Sequence, residues 1–475
     1  MKKIVSTLTL LALIFSTAVL PAQANNAINR AVQNNFGDTT ASVAIRDLST
    51  GKVVYSYNSN TGIKPASNTK MITGAAALDY LGENYRFKTQ MLHTGTVANK
   101  TLHGDLYLRG EGDPTLQYAD FVTFANTLKK KGITTISGNL YADDTWFSGD
   151  RKAPGLTSAN WSHYQDYWKA PISALTLSAD HYYNAGAIII KARGTSSGKA
   201  PSITALPNAS GMVIVNNART GSSNTLTIKR QENSNRIIIS GTIPAGRTKQ
   251  DYIPMFNPTL STIASFKTVL QQQGIKFVNN KMTYGKTPAG AISLGTKQSR
   301  PLKEIMVPFM KISNNSIADI LVKTIGKKVK NTGSYEAGLQ AMREYMASMG
   351  MDTSKIILTD GSGLSIQNRV PANELSMMLY QVTKKPYYKS FLNSLPTAGT
   401  SPHMMGGTLQ HRLTSSLTKG RVLAKTGTIV GTNALSGYVR GQSGKWYIFS
   451  VMSHFNKSSK VWAIDNVVTT MAREL

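Results

Sequence analysis

The chain has no cysteine, which excludes disulfide staples, thiolate metal sites and a lipid-modified N-terminal cysteine. At 475 residues it can bury a large core without covalent help. Histidine is also scarce: the seven are scattered, with no His-Glu-x-x-His or other close-spaced ligand cluster. That argues against a zinc-dependent hydrolase, and neither a metal nor a cofactor is expected. Acidic residues are few, 24 Asp and Glu against 53 Lys and Arg, giving a formal charge of +29. Long apolar runs are missing beyond the first residues, and no later stretch approaches the roughly 20 apolar residues that span a bilayer.

The one apolar run that exists follows Lys2 and Lys3, extends from Ile4 to Leu20 and leads into Pro21-Ala22-Gln23-Ala24 before the polar Asn25 and Asn26. A basic start, an apolar middle and a small-residue Ala-x-Ala end make residues 1–24 a secretory leader. The mature protein is expected to begin at Asn25, in the periplasm or cell-wall space, soluble or peripheral. Export bears on the positive charge. Cationic surfaces attract polyanions, but an exported protein meets wall polymers and anionic membrane surfaces rather than nucleic acid. The basic residues are dispersed rather than blocked, so maintenance of solubility fits the charge equally well.

Three short strings carry the chemistry: Ser67-Asn68-Thr69-Lys70, Ser313-Asn314-Asn315 and Lys425-Thr426-Gly427. Ser-x-x-Lys by itself is weak, recurring at Ser49/Lys52, Ser196/Lys199 and Ser416/Lys419. Ser67 differs in its setting. Pro65 precedes it, and Met71, Ile72, Ala75, Leu78 and Leu81 follow at helical spacing up to Gly82, which predicts a helix start. Residues three apart share a helix face, so the Lys70 amine can reach the Ser67 hydroxyl, a weak nucleophile until a base removes its proton. To serve as base Lys70 must be neutral; burial and a nearby cation both lower a lysine pKa, and Lys425 is a candidate for that cation. The helix N-terminus also aims free N–H groups where an oxyanion forms. Ser313 to Asn315 falls between two apolar-periodic segments and reads as an interhelical turn, Ser313 able to relay a proton and Asn315 to donate to a carbonyl. Lys425 to Thr428 reads as strand, with Gly427 allowing close approach of a ligand backbone.

Together the strings are the Ser-x-x-Lys, Ser-x-Asn and Lys-Thr-Gly set of penicillin-binding proteins and serine β-lactamases. The chain resembles the class C low-molecular-mass penicillin-binding proteins, a family of DD-carboxypeptidases and endopeptidases. The resemblance extends to Gly104 to Leu108, Gly112 to Leu116, Asp360-Gly361-Ser362-Gly363-Leu364-Ser365 and Leu435-Ser436-Gly437-Tyr438, covering most of the mature chain. It implies Ser67 as acylated nucleophile, Lys70 as its base, Ser313 and Asn315 as proton relay and substrate amide, and Lys425, Thr426, Gly427 and Thr428 as the substrate carboxylate site. It further assigns the oxyanion hole to the backbone N–H groups of Ser67 and Thr428. Peptidoglycan stem peptides would be the substrate, with β-lactams as covalent inhibitors. No acidic deacylation base is apparent, so a long-lived β-lactam adduct is expected. The fold implied is an α/β (α+β) catalytic domain of the penicillin-recognising, β-lactamase-like type, an antiparallel sheet with flanking helices, carrying inserted β-rich domains.

The residues agree with such a layout. Ser67 and Ser313 lie too far apart for a connection within one compact domain, and the interval is rich in short alternating runs bounded by Gly, Asn, Ser and Pro. The expected division is a first catalytic segment at 25–87, a β-rich insertion at 88–257 with a nested piece at about 175–245, and a second catalytic segment at 258–475. Ser42 to Ile45 and Val53 to Tyr57 read as a hairpin that joins Val422 to Ala424, Ala434 to Val439 and Trp446 to Val451 in the catalytic sheet. Val461, Ile464, Val468 and Met471 form one stripe of a C-terminal packing helix.

Other residues admit two readings. Asp143 and Asp144, followed by Thr145-Trp146-Phe147, could form an acidic and aromatic pocket for a cationic substrate side chain or simply a solvated turn after a strand. Tyr164, Tyr167 and Trp168 could line a glycan groove or pack. Asp360 to Gly363 reads as a turn with flexible glycines. Ile366 stands where the family usually has Arg, with Arg369 nearby. The sequence thus points to an exported serine DD-peptidase. A β-lactamase or esterase on the same architecture, and a non-catalytic cationic wall-binding protein, stay open beside it.

Overall fold

A computed structural model describes residues 22–37, 39–155, 166–456 and 458–475. Most of the expected leader, and Tyr164, lie outside the described residues. Ala22 to Ala24, its last three positions, form the start of the helix Ala22–Phe36.

Strands from both ends of the chain build a five-stranded antiparallel sheet. Val53–Tyr57 lies at one edge, followed by Thr40–Asp47, Trp446–His454, Thr432–Arg440 and, at the other edge, Val422–Ile429. These are the five strands expected from the sequence; Val53–Tyr57 has the expected bounds and the other four are longer than their expected segments. Alternate side chains leave the sheet on opposite faces. On one face Val43, Ile45, Leu435, Phe449 and Val451 pack with Ile28, Val32 and Phe36 of the first helix. Ile464, Val468 and Met471 of the C-terminal helix Val461–Glu474 complete that layer, so the predicted stripe is a core face. On the other face Tyr438 and Ile448 join a helical core. That core is built from helices Thr69–Leu81, Leu302–Lys311, Asn315–Lys330, Tyr335–Ser348 and Ala372–Val382. Helix 69–81 is buried around most of its circumference, with Met71, Ile72, Ala75, Ala76 and Ala77 fully covered. Each large apolar side chain buried this way contributes roughly 1.5–3 kcal/mol.

A second core holds a mixed five-stranded sheet in the order Met282–Tyr284, Leu140–Asp143, Leu106–Gly110, Lys88–His93 and Ile292–Gln298. The helices Tyr118–Lys130 and Pro258–Gln272 belong to it, with the Phe121 and Phe266 rings edge to face at 5.2 Å. Residues 258–298 therefore pack with the β-rich core, although the sequence reading placed them with the catalytic domain. Strand 292–298 completes that sheet by pairing with strand 88–93, a long-range partnership that local composition does not announce. Strands between Ala187 and Pro254 form three small sheets of their own, with a single bridge from Ala187 to Ser178.

Candidate active site

Three segments converge at the edge strand Val422–Ile429. Ala66–Asn68 forms a single 3₁₀ turn that runs directly into helix 69–81, so Ser67 sits half-exposed at its mouth. Ala66 takes a φ of 47°, a left-handed conformation uncommon for residues other than glycine. Two close approaches hold it there. A Cβ on Gly427 would lie 2.8 Å from the Pro65 carbonyl oxygen, and one on Gly363, itself at φ +87°, would lie 1.8 Å from that of Ala66. Glycine at both places lets the edge strand and the loop 360–363 clasp the Ser67 turn from two sides.

Lys70 is fully buried. Its Nζ donates to Ser67 Oγ at 3.1 Å and to the Ser362 carbonyl oxygen at 2.5 Å. Burial brings its pKa from 10.5 down to about 8, while the Asp360 and Asp319 carboxylates push the other way. Lys425 is fully buried as well; its Nζ donates to Ser313 Oγ at 2.9 Å and to the Thr426 carbonyl oxygen at 2.8 Å. Burial lowers its pKa well below the ordinary value, and repulsion from Lys70 lowers it further. The expectation that the Lys425 cation lowers Lys70 is thus replaced by burial, which brings both amines down, while the charge repulsion falls on Lys425. The geometry gives two amine–hydroxyl pairs, Lys70 with Ser67 and Lys425 with Ser313, meeting in one desolvated site.

Ser313 sits at φ 60° between helices 302–311 and 315–330. Asn314, which the sequence reading passed over, holds this turn. Its Oδ1 accepts from the Ile317 N–H at 2.9 Å, capping helix 315–330. Its Nδ2 donates to the carbonyl oxygens of Tyr182 and Tyr183 and to Asn184 Oδ1 at 2.9–3.1 Å, tying the turn to the inserted region. Asn315 Nδ2 donates to the Trp168 carbonyl oxygen at 3.0 Å. A cleft of about 280 Å³ opens beside these residues, lined by Ser313, Asn315, Tyr167, Trp168, Tyr182 and Thr408 among others. Thr426 Oγ1 donates to Thr408 Oγ1 at 2.7 Å, and Thr428 is exposed. Along this strand Lys425 and Thr426 are buried, and Thr428 is the exposed residue of the three.

The Asp360 carboxylate accepts from Ser362 Oγ, the N–H groups of Gly363 and Ser365, and Asn368 Nδ2 at 2.7–3.1 Å. It organises the loop whose Ser362 carbonyl receives Lys70, a structural role that composition alone suggested. Asp319 is the less legible partner. It lies four residues beyond Asn315 on the same helix face, is buried, and accepts from the Gly361 N–H at 3.3 Å. Burial first and Asp360 second push its carboxyl pKa well above the usual range. The i, i+4 spacing from Asn315 was the only signal available for it.

Asp143 and Asp144 stand apart from this cluster. Asp143 is buried and accepts from the Thr145 N–H and hydroxyl and from the Thr287 N–H at 2.7–3.0 Å. Asp144 accepts from Arg151 at 2.5 Å and from Thr259 Oγ1 at 2.7 Å. All of these partners lie within the protein. Ile366 is exposed, and Arg369 Nη1 donates to the Ile366 and Asn368 carbonyl oxygens, turned onto its own loop. Among the described residues no cluster of His, Cys, Asp and Glu is arranged to hold a metal ion.

Comparison with known proteins gives concordant results. The model of the D-Ala-D-Ala carboxypeptidase 3 (S13) family matches residues 24–474. A D-alanyl-D-alanine carboxypeptidase of Actinomadura sp. is 34% identical over 441 residues, 91% of this chain and 81% of that protein. D-alanyl-D-alanine carboxypeptidase DacB of Haemophilus influenzae is 26% identical over 444 residues, 90% of this chain and 88% of that one. The crystal structure of penicillin binding protein 4 from Haemophilus influenzae superposes with a TM-score of 0.78 at 22% identity, covering 93% of this chain and 97% of that one.

Proposed function

Since the chain belongs to the S13 family of D-Ala-D-Ala carboxypeptidases, we propose that it is a serine DD-peptidase that removes the terminal D-alanine from peptidoglycan stem peptides through an acyl-enzyme on Ser67. The observation that carries this is the pairing of two buried amines with two hydroxyls, Lys70 Nζ to Ser67 Oγ at 3.1 Å and Lys425 Nζ to Ser313 Oγ at 2.9 Å. Neutral Lys70 takes the Ser67 proton as Oγ attacks the carbonyl carbon of the penultimate D-alanine. The tetrahedral oxyanion is held by the backbone N–H groups of Ser67 and Thr428, an arrangement whose donors cost no reorganisation during reaction. As the C–N bond breaks, Ser313 passes a proton to the departing D-alanine amine and is itself reprotonated from the lysine pair. Water then attacks the ester, losing its proton to Lys70, and Ser67 Oγ leaves as the hydroxyl.

The substrate carboxylate is bound by the hydroxyls of Thr426 and Thr428, backed by Lys425, and Asn315 orients the donor amide. A β-lactam presents a similar carboxylate beside a strained amide and acylates the same serine. The same site also cuts a D-alanyl bond in which the leaving amine belongs to a second stem peptide, which makes the protein an endopeptidase as well. The protein works outside the cytoplasm, where its positive charge keeps it near anionic wall polymers or the membrane surface. No helix among the described residues is long and apolar enough to cross a membrane. The test is intact mass after incubation with a penicillin, with D-alanine release from a pentapeptide measured in parallel. One adduct on Ser67, absent in Ser67→Ala together with D-alanine release, is expected. A folded protein that takes no adduct would refute the reading.

A further inference from the structure

The segment from Leu395 to Leu409 runs along the cleft, which His403 and Thr408 line, and the proposed reaction gives it no task. Its first residues extend the catalytic sheet: the Ala424 N–H donates to the Pro396 carbonyl oxygen at 3.0 Å and the Ala398 N–H to that of Val422 at 2.9 Å. It then turns back on itself, the Thr397 N–H donating to the Met405 carbonyl oxygen at 3.1 Å and the Gly399 N–H to that of Leu409 at 3.0 Å. Lys311 ties the turn down. Its side chain is buried, and its Nζ donates to the carbonyl oxygens of Leu395 and of Met405, the latter at 2.8 Å. Gly407, at φ +53°, presses on the same residue: a Cβ there would lie 2.3 Å from the Lys311 carbonyl oxygen. Lys311 closes helix 302–311 just before Ser313, so the turn that holds Ser313 and the turn at Gly407 share one anchor.

What this anchoring places is the Thr408 hydroxyl. Thr408 is half-buried in the 3₁₀ turn Gly407–Leu409, lines the cleft with Ser313 and Asn315, and accepts at Oγ1 from Thr426 Oγ1 at 2.7 Å. A hydroxyl has one proton to donate and two lone pairs with which to accept. Two hydroxyls that share one hydrogen bond therefore keep one proton between them for a third partner. In this arrangement that proton belongs to Thr408, the member of the pair that lines the cleft; rotation of both hydroxyls hands it to Thr426, which is buried on the edge strand. An ionised carboxylate only accepts hydrogen bonds, so a hydroxyl proton left free in this way suits it. A hydroxyl that itself accepts a hydrogen bond is also polarised into a stronger donor.

We propose that Thr408 belongs to the substrate carboxylate site: the Thr408–Thr426 pair presents its one free proton to the terminal carboxylate and so sets the preference for ligands that end in a free carboxylate. The inference rests on the DD-peptidase reading and adds to it a residue from outside the three sequence strings. A ligand whose carboxylate is masked as a neutral ester offers this proton a weaker acceptor, because hydrogen bonds to a charged oxygen are the stronger ones. Thr408 thus acts on binding, while the making and breaking of the acyl bond stay with Ser67, Lys70 and Ser313.

The experiment measures acylation by a penicillin and by its carboxylate methyl ester in the wild type, Thr408→Val, Thr408→Ser, Thr426→Val and the double variant Thr408→Val/Thr426→Val. The concentration dependence separates the dissociation constant of the non-covalent complex from the acylation rate constant, and circular dichroism checks each fold. Thr408→Val is expected to lower the acid-to-ester ratio of acylation efficiency about tenfold, the size of one hydrogen bond to a charged group, mainly through the dissociation constant. Thr408→Ser is expected to keep the ratio, and the double variant to lose no more than Thr426→Val alone, since the two hydroxyls act as one pair. If Thr408→Val does not fold, Thr408→Ala takes its place. An unchanged ratio, including equal slowing of both ligands, overturns the proposal and leaves Thr408 a packing residue. Losses that add in the double variant overturn the pairing with Thr426. A wild type acylated equally well by acid and ester overturns the carboxylate site while Ser67 stays the nucleophile; a wild type that takes no penicillin refutes the parent reading, and this inference falls with it.

Discussion

If Lys70 is the base that deprotonates Ser67, acylation must follow the neutral fraction of a lysine whose pKa is set by burial. Its value of about 8, against an ordinary 10.5, represents about 3 kcal/mol of net bias against the charged form. At pH 7 such a lysine is neutral in roughly one molecule in ten, whereas an unperturbed one would be neutral in only about three in ten thousand. Burial thus multiplies the competent fraction by about 300. The sign follows from the chemistry: protonated Lys70 cannot accept a proton, so the second-order acylation rate falls with decreasing pH below about 8. It should drop about tenfold for each pH unit on that limb and reach a plateau above it. The assay is stopped-flow acylation by a chromogenic penicillin between about pH 5.5 and 9.5, where the fold is checked at each pH by circular dichroism. Asp319→Asn supplies the structural control on the direction. Asp319 raises the Lys70 pKa, so its neutral replacement is expected to move the limb to lower pH. A rate that is flat across this range would refute Lys70 as base, and a limb that climbs to the range of a free lysine would refute burial as the cause of its activation.

Two further substitutions test how the site is held. Asn314→Ala removes the cap of helix 315–330 and the three hydrogen bonds to Tyr182, Tyr183 and Asn184. We expect a loss of about 1–2 kcal/mol in chemical denaturation and slower acylation from a displaced Ser313; unchanged stability and rate would refute the pinning role. Gly363→Ala places a Cβ 1.8 Å from the Ala66 carbonyl oxygen, so either the loop or the nucleophile turn must shift. Acylation should fall by at least about a hundredfold, since small misplacements of reacting groups carry costs of that order, and an unimpaired variant would show that the clasp is not required.

Much of the catalytic half was legible because its signals are local. The five strands of the antiparallel sheet show in their alternation, and the helix after Ser67 in the recurrence of Met71, Ile72, Ala75 and Leu78, since period two and period 3.6 each leave a mark within a few residues. The inserted region was legible as strand-rich, but the place of residues 258–298 was not. Strand 292–298 finds its partner 88–93 across some two hundred residues, and no short window records such a pairing. The site divides in the same way. Ser67 and Lys70 are one helical turn apart and their partnership can be read directly, while Asn314 gains its role only from carbonyl groups of residues 182–184. Asp143 and Asp144 show the same limit: in sequence two adjacent carboxylates read equally as a pocket or a turn, and only folding supplies Thr145, Thr287, Arg151 and Thr259 as their partners.

By itself, then, the sequence singled out the residues that folding brings into hydrogen-bonded pairs: a serine with a lysine one turn on, and a second serine in an interhelical turn with a lysine on a strand edge. Residue type and short spacing suffice for that, because helix and strand geometry are nearly independent of context. Only the tertiary structure decided their states. Lys70 and Lys425 lose their water when the edge strand, the 360–363 loop and helix 315–330 close over them, and desolvation is a property of everything that surrounds a group rather than of its neighbours in sequence. The same closure turned Asp360 into the organiser of its loop, because which partners a buried group finds depends on contacts among segments far apart in the chain.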